Sequence, residues 1–519
     1  MTPSSPQVFA PSTPRWWEVH LVINRNWLVA VSGVLFGWSL DQFGMRVEGG
    51  AIAVLGFAPL YFSIERRLFP GFFFGPLTFM YLYHAMGYGI GPLGQMFLLE
   101  ALTFDEQGFV PAQWGGVLGL AVFAIMFPRI FQGSLQAIQR RWSRPFRGKQ
   151  DSSDWHDYTI FIMLTGIAVI AYDLVSGAAS RMRGEGGISI ESSSLLAAFQ
   201  AVHQVMFFFL AYLAAKRRGR WWFFWLVMLF GYSTYFFLEG GRGNAVFAAV
   251  LSAMGFAWAG TSWRKLVLLG AVAAIVYVPI SGMVLTYRSY FRDQVVREDF
   301  RNRAIGFLSA VEVTLDQSDG GFETISKGFL AGITAMSVDQ VFLQTPSSIP
   351  FAGLEGIENA LWIVVPTIIN PDRPKLDDGN TLAIKYDQTK REDAKGWYMP
   401  AVGDGYRRGG WTGIGLLYIF SALIFGPVLA MCWARLANAV WMSMFVWLSF
   451  FASGIWAISM LTDVWLLWAC PRQWVTFWGL HKLQKSLWAM GQGLTGQSGM
   501  LRYSPPSASV VWLRKHWRR

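Results

Sequence analysis

Long apolar runs alternate with short polar connections along most of this chain, and the alternation breaks once, across residues 287–410. Apolar runs occupy 27–43, 50–64, 72–99, 115–131, 158–175, 195–215, 221–238, 245–259 and 266–286, then 411–431, 440–457 and a weaker 458–470. A helix needs roughly 20 apolar residues to cross the hydrocarbon of a bilayer, so runs of this kind predict spans. The pattern predicts an all-α fold, a polytopic transmembrane helix bundle of about 12 spans (range about 11–14), with one large extracytoplasmic loop of short helices. The runs at 50–64 and 458–470 are short for a crossing and need tilt or local thinning. Within the polar insert, 328–342 and 360–369 are apolar enough to lie on the membrane surface or pack on the bundle. Residues 370–400, rich in proline and charge, predict irregular backbone.

The connections fix an orientation, because cytoplasmic loops carry an excess of Lys and Arg. One alternate set holds Arg66 and Arg67, then Arg140, Arg141, Arg144, Arg147 and Lys149, then Lys216, Arg217, Arg218 and Arg220, then Arg264 and Lys265, then Arg435. The other set is acidic or mixed, and the insert alone holds 17 of the 32 acids, which places it outside. The expected organisation is a cytoplasmic N-terminal tail (1–26), a first part of the bundle (27–286), the large periplasmic loop (287–410), a last part of the bundle (411–480) and a basic cytoplasmic tail (481–519).

Composition agrees with this picture. Hydrophobic residues make up 53% and charged residues 14%, with a mean hydropathy of +0.35, which excludes an ordinary soluble domain. The net charge of +11 raises nucleic acid as a partner. Its arginines and lysines sit in short clusters between spans rather than on one basic face, so no nucleic-acid partner is expected and the partner surface is the lipid bilayer. Cys432 and Cys470 have no metal-ligand or redox spacing. His84, His203, Asp173 and Asp463 lie inside spans or near their ends, where an ionisable group must be paired or wet. The two histidines read as neutral helix contacts, and neither a metal site nor a cofactor is expected.

Four clusters carry candidate chemistry. Glu239 to Asn244, reading EGGRGN, joins two spans, and its glycines beside Arg242 form a cradle for an anion or a tight hairpin in which Arg242 pairs with Glu239. Tyr287, Arg288 and Arg292 open the insert, with Arg297, Arg301 and Arg303 behind them. Arg288 and Arg292 share one helical face and can address one diphosphate, or they belong to a solvated helix with Asp293, Glu298 and Asp299. Pro366 to Asn380 reads PTIINPDRPKLDDGN and includes Arg373. Pro400 to Ile414 reads PAVGDGYRRGGWTGI and leads straight into a span. There Asp404 is a candidate general base, or a helix cap, or the partner of Arg407, while Tyr406 can stack on a sugar ring or sit at the interface.

With these pieces in this order, the chain resembles the O-antigen polymerase family, the Wzy-type oligosaccharide repeat-unit polymerases, a GT-C-like group of polytopic membrane glycosyltransferases. The resemblance rests on Gly241-Arg242-Gly243 opening a span, the arginine-bearing exit into a large outer loop, the prolines and Arg373 from Pro366 to Pro374, and Asp404-Gly405-Tyr406 followed by Gly410-Trp411-Thr412-Gly413. Asp404 stands where members of the family often carry glutamate, and Arg407-Arg408-Gly409 departs from their usual apolar-aromatic lead. The resemblance implies an enzyme of the bacterial inner membrane that joins polyprenyl-diphosphate-linked oligosaccharides and releases polyprenyl diphosphate, with a flippase and a chain-length regulator as partners. It implies Asp404, Arg288 and Arg242 as catalytic residues, Arg242, Arg288, Arg292 and Arg297 on the diphosphate, and Tyr287, Tyr406, Arg407 and Arg373 on the glycan. The rivals are an O-antigen ligase-like transferase, disfavoured because the loop has no histidine, and a transporter or flippase of the same lipid-linked cargo.

Overall fold

The computed structural model describes residues 16–69, 75–99, 102–141, 152–176, 190–217, 219–238, 243–262, 264–273, 338–356, 399–437 and 475–490, with shorter pieces within 277–330 and 382–386. Every regular element among the described residues is helical. Among the described residues, four helical stretches are long and apolar enough to cross a membrane: Arg46–Leu68, Glu106–Arg141, Arg220–Leu238 and Ala401–Ala434. Thr159–Tyr172 and Ala245–Trp258 are shorter apolar helices. Large apolar side chains such as Leu35, Phe36, Trp38, Phe223 and Phe230 stand exposed on the bundle wall, as a membrane protein requires of its lipid-facing side.

The chain opens with α1 (Trp16–Gln42), which turns at Gly44 into α2 (Arg46–Leu55). The two pack antiparallel, with Gly37 of α1 against Gly49 of α2. A turn at Gly56 and Phe57 separates α2 from α3 (Ala58–Leu68), whose first turn holds Pro59. The expected short run at 50–64 is thus two helices in one apolar stretch.

The expected single span at 72–99 has a similar break. It consists of α4 (Pro76–His84), a wider π-helical turn over Ala85–Ile90, and α5 (Gly91–Leu98). A π turn loosens the regular ladder of backbone bonds. Here the buried amide of Gln113 donates to the Tyr88 carbonyl at 2.8 Å and to the Val47 carbonyl at 3.1 Å, so it ties the wide turn to both α2 and the next helix.

That next helix, α6 (Glu106–Arg141), makes the most extensive pairing among the described residues with the long helix Ala401–Ala437. Gly115 faces Ile414, Gly119 faces Tyr418, and Ile130 and Phe131 face Gly426, so position rises together along both helices and they run parallel. Glu106 and Trp411 line one cleft at their starts. Leu77, Phe127 and Leu429 line one small apolar gap about 20 residues further on, or about 30 Å away at 1.5 Å per residue.

A second group holds α7 (Ser152–Ser176), α8 (Ile190–Arg217), α9 (Arg220–Leu238) and α10 (Gly243–Trp258). Every residue from Val205 to Ala211 is buried, so α8 is enclosed on all sides, the position a helix apolar all round must take. α9 and α10 pack antiparallel, with Trp222 and Trp225 against Phe256 and the Trp225 indole donating to Ser252 Oγ at 3.0 Å.

From the large insert, α11 (Val338–Gln344) packs on the start of α6. Asp339 Oδ2 accepts the Asp105 N–H at 2.9 Å, and Gly108 leaves room for the Asp339 carbonyl. Ala401–Ala437 is numbered α12. Its expected span began at 411, whereas helix begins ten residues earlier and bends at Gly409 and Gly410. The runs expected at 440–457 and 458–470 lie outside the described residues.

Candidate functional site

The bend in α12 organises the site. Gly410 has φ +61° and ψ −144°, a conformation that side-chain-bearing residues rarely adopt, and it reverses the chain so that Gly405 lies backbone to backbone against Gly413. The turns from Ala401 to Arg408 are thereby folded onto the start of the long apolar part. Their last carbonyls, which no further helix would satisfy, are capped by the insert. Ala352 N–H donates to the Arg407 carbonyl at 2.8 Å and Gly353 N–H to the Arg408 carbonyl at 3.1 Å.

Within this fold Asp404, Arg407 and Arg408 form a buried ionic triad, 3%, 5% and 8% exposed. Their spacing places all three on one helical face. Asp404 Oδ1 accepts from Arg407 Nε at 2.8 Å, from Arg407 Nη2 at 2.8 Å and from Arg408 Nε at 3.1 Å. Arg408 Nη1 donates to the carbonyls of Gly353 and Glu355, both at 3.0 Å. Arg408 Nη2 is buried and has no hydrogen-bond partner among the described residues. One carboxylate facing two guanidiniums leaves the triad one positive charge in excess. Of the readings open to Asp404, the geometry favours pairing with the arginines, because its carboxylate holds three charged N–H donors and anchors both side chains.

Tyr406 projects to the other side. It stacks on Phe342 of α11 at 3.8 Å and 18°, and meets Trp411 edge-on at 6.2 Å. Beneath it Val341, Ile349, Tyr386 and Met399 form a small core, with the Tyr386 hydroxyl 3.1 Å from Thr345 Oγ1. Burial raises the Tyr386 phenol above its usual pKa, which keeps it a neutral hydrogen-bonding group.

Tyr287, expected on the glycan, is fully buried instead. Its hydroxyl donates to the Leu238 carbonyl at 3.4 Å and its ring packs edge-on against Phe307. The physical reason is that the aromatic body completes a cluster with Phe237, Ala245, Tyr277, Ile280 and Phe307 around the junction of α9 and α10. In sequence, Leu238 immediately precedes EGGRGN and Tyr287 immediately precedes Arg288. Arg242, Arg288, Arg292, Arg297 and Arg373 themselves lie outside the described residues.

Contacts then run from that junction toward α12. Tyr277 meets Phe329, Leu330 fills the space beside Gly94, Gln95 Oε1 accepts from Thr103, and Asp105 donates to Asp339, three residues before Phe342. Of the intramembrane polar residues, His84 Nδ1 donates to the Met80 carbonyl at 2.9 Å, and its Nε2 pairs with the Tyr418 hydroxyl. His203 sits among the rings of Tyr232 and Phe236, with no hydrogen bond among the described residues. No group of three or more His, Cys, Asp or Glu among the described residues stands where it could hold a metal ion.

The sequence placed Arg408 in the motif with Asp404 and Arg407 but gave it no role; the Phe342 stack depends on a pairing across 64 residues and had no local signal. No protein-family model, no curated protein and no solved structure matches the chain.

Proposed function

We propose that the protein is a membrane glycosyltransferase of the polymerase type, joining polyprenyl-diphosphate-linked oligosaccharides at the outer face of a bacterial inner membrane. The finer topology belongs to the proposal: about 12 spans, both termini cytoplasmic, and residues 287–410 outside. The observation that carries it is the buried Asp404–Arg407–Arg408 triad, with its excess positive charge and an unpartnered Arg408 Nη2, where the large loop meets a long apolar helix.

In the reaction an acceptor sugar hydroxyl attacks the anomeric carbon of the donor, the bond from that carbon to the diphosphate oxygen breaks, the electron pair leaves with the diphosphate, and the hydroxyl proton passes to the departing diphosphate. Guanidiniums set in place beforehand stabilise that growing charge without reorganising. Arg242, Arg288 and Arg292 take this role, Arg297 joins them on the diphosphate, and Arg373 meets the glycan. Asp404 holds Arg407 and Arg408 in register. The contact between Tyr287 and Leu238, which adjoin the Arg288 and EGGRGN motifs in sequence, supports two arginines acting on one leaving group. A flippase delivering the donor and a chain-length regulator are the partners this activity calls for.

Purified protein in bilayers, given lipid-linked repeat units, is expected to yield a ladder of chain lengths. Arg242→Ala and Arg288→Ala are each expected to lower polymer yield by roughly 100-fold, the loss typical of one donor to developing charge, with the protein still folded. Movement of the substrate across the bilayer with no bond formed would replace this function by transport.

A further inference from the structure

The cleft at the starts of α6 and α12 is not accounted for by the leaving-group site. It has a volume of about 510 Å³ and is lined by Asp41, Arg46, Glu106, Gln107, Trp114 and Trp411, with Val110 and Pro111 on its floor. That volume falls in the range of roughly 300–1,000 Å³ occupied by small-molecule sites.

Its chemistry differs from that of the triad. Asp41 and Glu106 outnumber Arg46, whose Nε lies 3.9 Å from Asp41 Oδ1, so the cleft carries an excess of one negative charge and repels a diphosphate. What remains is two indoles at least partly exposed, two carboxylates that accept hydrogen bonds from hydroxyls, and an amide that both donates and accepts. A sugar ring presents one C–H face and a rim of hydroxyls, and this set matches both. Position adds a second argument. Trp411 lines the cleft, stands edge-on to Tyr406 at 6.2 Å and follows the triad directly across the Gly409–Gly410 bend.

We infer that this cleft is a saccharide-binding subsite, which stacks neutral sugar rings on Trp114 and Trp411 and hydrogen-bonds their hydroxyls through Asp41, Glu106 and Gln107. The subsite rests on the glycosyl-transfer reading and adds to it where the non-leaving glycan sits: in an acidic, aromatic trough.

The probe is the free reducing oligosaccharide released by mild acid from the host's polyprenyl diphosphate lipids. Its binding to the full chain in lipid nanodiscs is followed by tryptophan fluorescence and calorimetry, with inorganic pyrophosphate in a parallel arm. Trp411→Ala is expected to weaken oligosaccharide binding about tenfold, as loss of an aromatic stack does. Glu106→Gln and Gln107→Ala, at exposed positions that no packing depends on, are expected to weaken it several-fold, and pyrophosphate binding is expected to be unchanged in all three. Absence of oligosaccharide binding to the parent protein overturns the subsite. So does binding that all three variants retain at the parent level, which would leave the indoles as interfacial anchors. A ladder that forms with normal acceptor KM in these variants removes the subsite and keeps the polymerase; binding that these residues control, with no ladder from the parent, keeps the subsite and removes the polymerase.

Discussion

Glu65 and Asp404 are both carboxylates with almost no access to water, 1% and 3% exposed, and they sit toward opposite ends of the α6–α12 pair. They are neutralised by different means. Glu65 Oε2 accepts the Thr78 N–H at 2.9 Å and also the Leu77 N–H, so the carboxylate caps the start of α4 from the last turn of α3. Backbone dipoles alone face it, and Oε1 has no partner among the described residues. Asp404 is faced instead by two guanidiniums. A cap of the first kind joins two helices and leaves no charge to spare. The second kind leaves surplus cation, and surplus buried cation is what a site for an anionic leaving group needs. The difference separates an acid that joins two helices from one that holds two cations, although both are almost fully buried.

The largest effect expected from this contrast belongs to Asp404→Ala. It strands two buried guanidiniums, and breaking a buried ion pair from one side costs about 3–5 kcal/mol. Thermal unfolding in nanodiscs measures it, and adding Arg408→Met to the same chain is expected to return part of the loss. Asp404→Ala costing no more than Glu65→Ala would break the comparison, since the triad would then be as loosely held as a cap.

Glu65→Ala is expected to cost less, about 1–3 kcal/mol, because it exposes two helix-terminal N–H groups to apolar surroundings and strands no charge. Glu65→Gln, which keeps an acceptor for Thr78, is expected to recover most of that. Gly75→Ala sharpens the case, since a Cβ there would overlap Glu65 Oε1. Its loss is expected to shrink when combined with Glu65→Ala, which removes the obstructed group. Additive losses would show that Gly75 acts independently of the carboxylate.

Among the described residues, helices were legible in the sequence where apolar residues ran on, and the runs at 115–131 and 221–238 mark α6 and α9 well. Their ends were less legible. α6 extends in both directions through polar turns, and α12 starts at Ala401, because charged residues folded back on a bundle need not be apolar to be helical. The spacing of Asp404, Arg407 and Arg408 and the glycine pair behind them were visible as a motif, and so was pairing as one of its readings. Glu65 was not visible, since Arg66 and Arg67 mark it as loop and its partners lie across a connection. The His84–Tyr418 pair joins residues 334 positions apart, beyond any local pattern.

Asp339 offers the smallest and most discriminating test, as a third carboxylate held like Glu65 but in the large loop. Its oxygens accept the N–H groups of Asp105 at 2.9 Å and Gln340 at 2.8 Å, and no cation is among its partners. Burial, with a smaller push from the Asp105 carboxylate, raises its pKa above the ordinary 3.8. A raised pKa in the folded state means that folding binds the proton more tightly than the unfolded chain does. Its contribution to stability is therefore fully present below pH 3.8 and is lost as pH rises through the folded value. Asp339→Asn removes the titration, so the variant's melting temperature is expected to fall less than the parent's between mildly acidic and neutral pH. A carboxylate capped by backbone dipoles thus reports itself as destabilised by ionisation. An equal slope in both proteins would mean that the two N–H groups compensate the charge completely, and backbone caps and guanidinium pairs would then differ only in the cation left over.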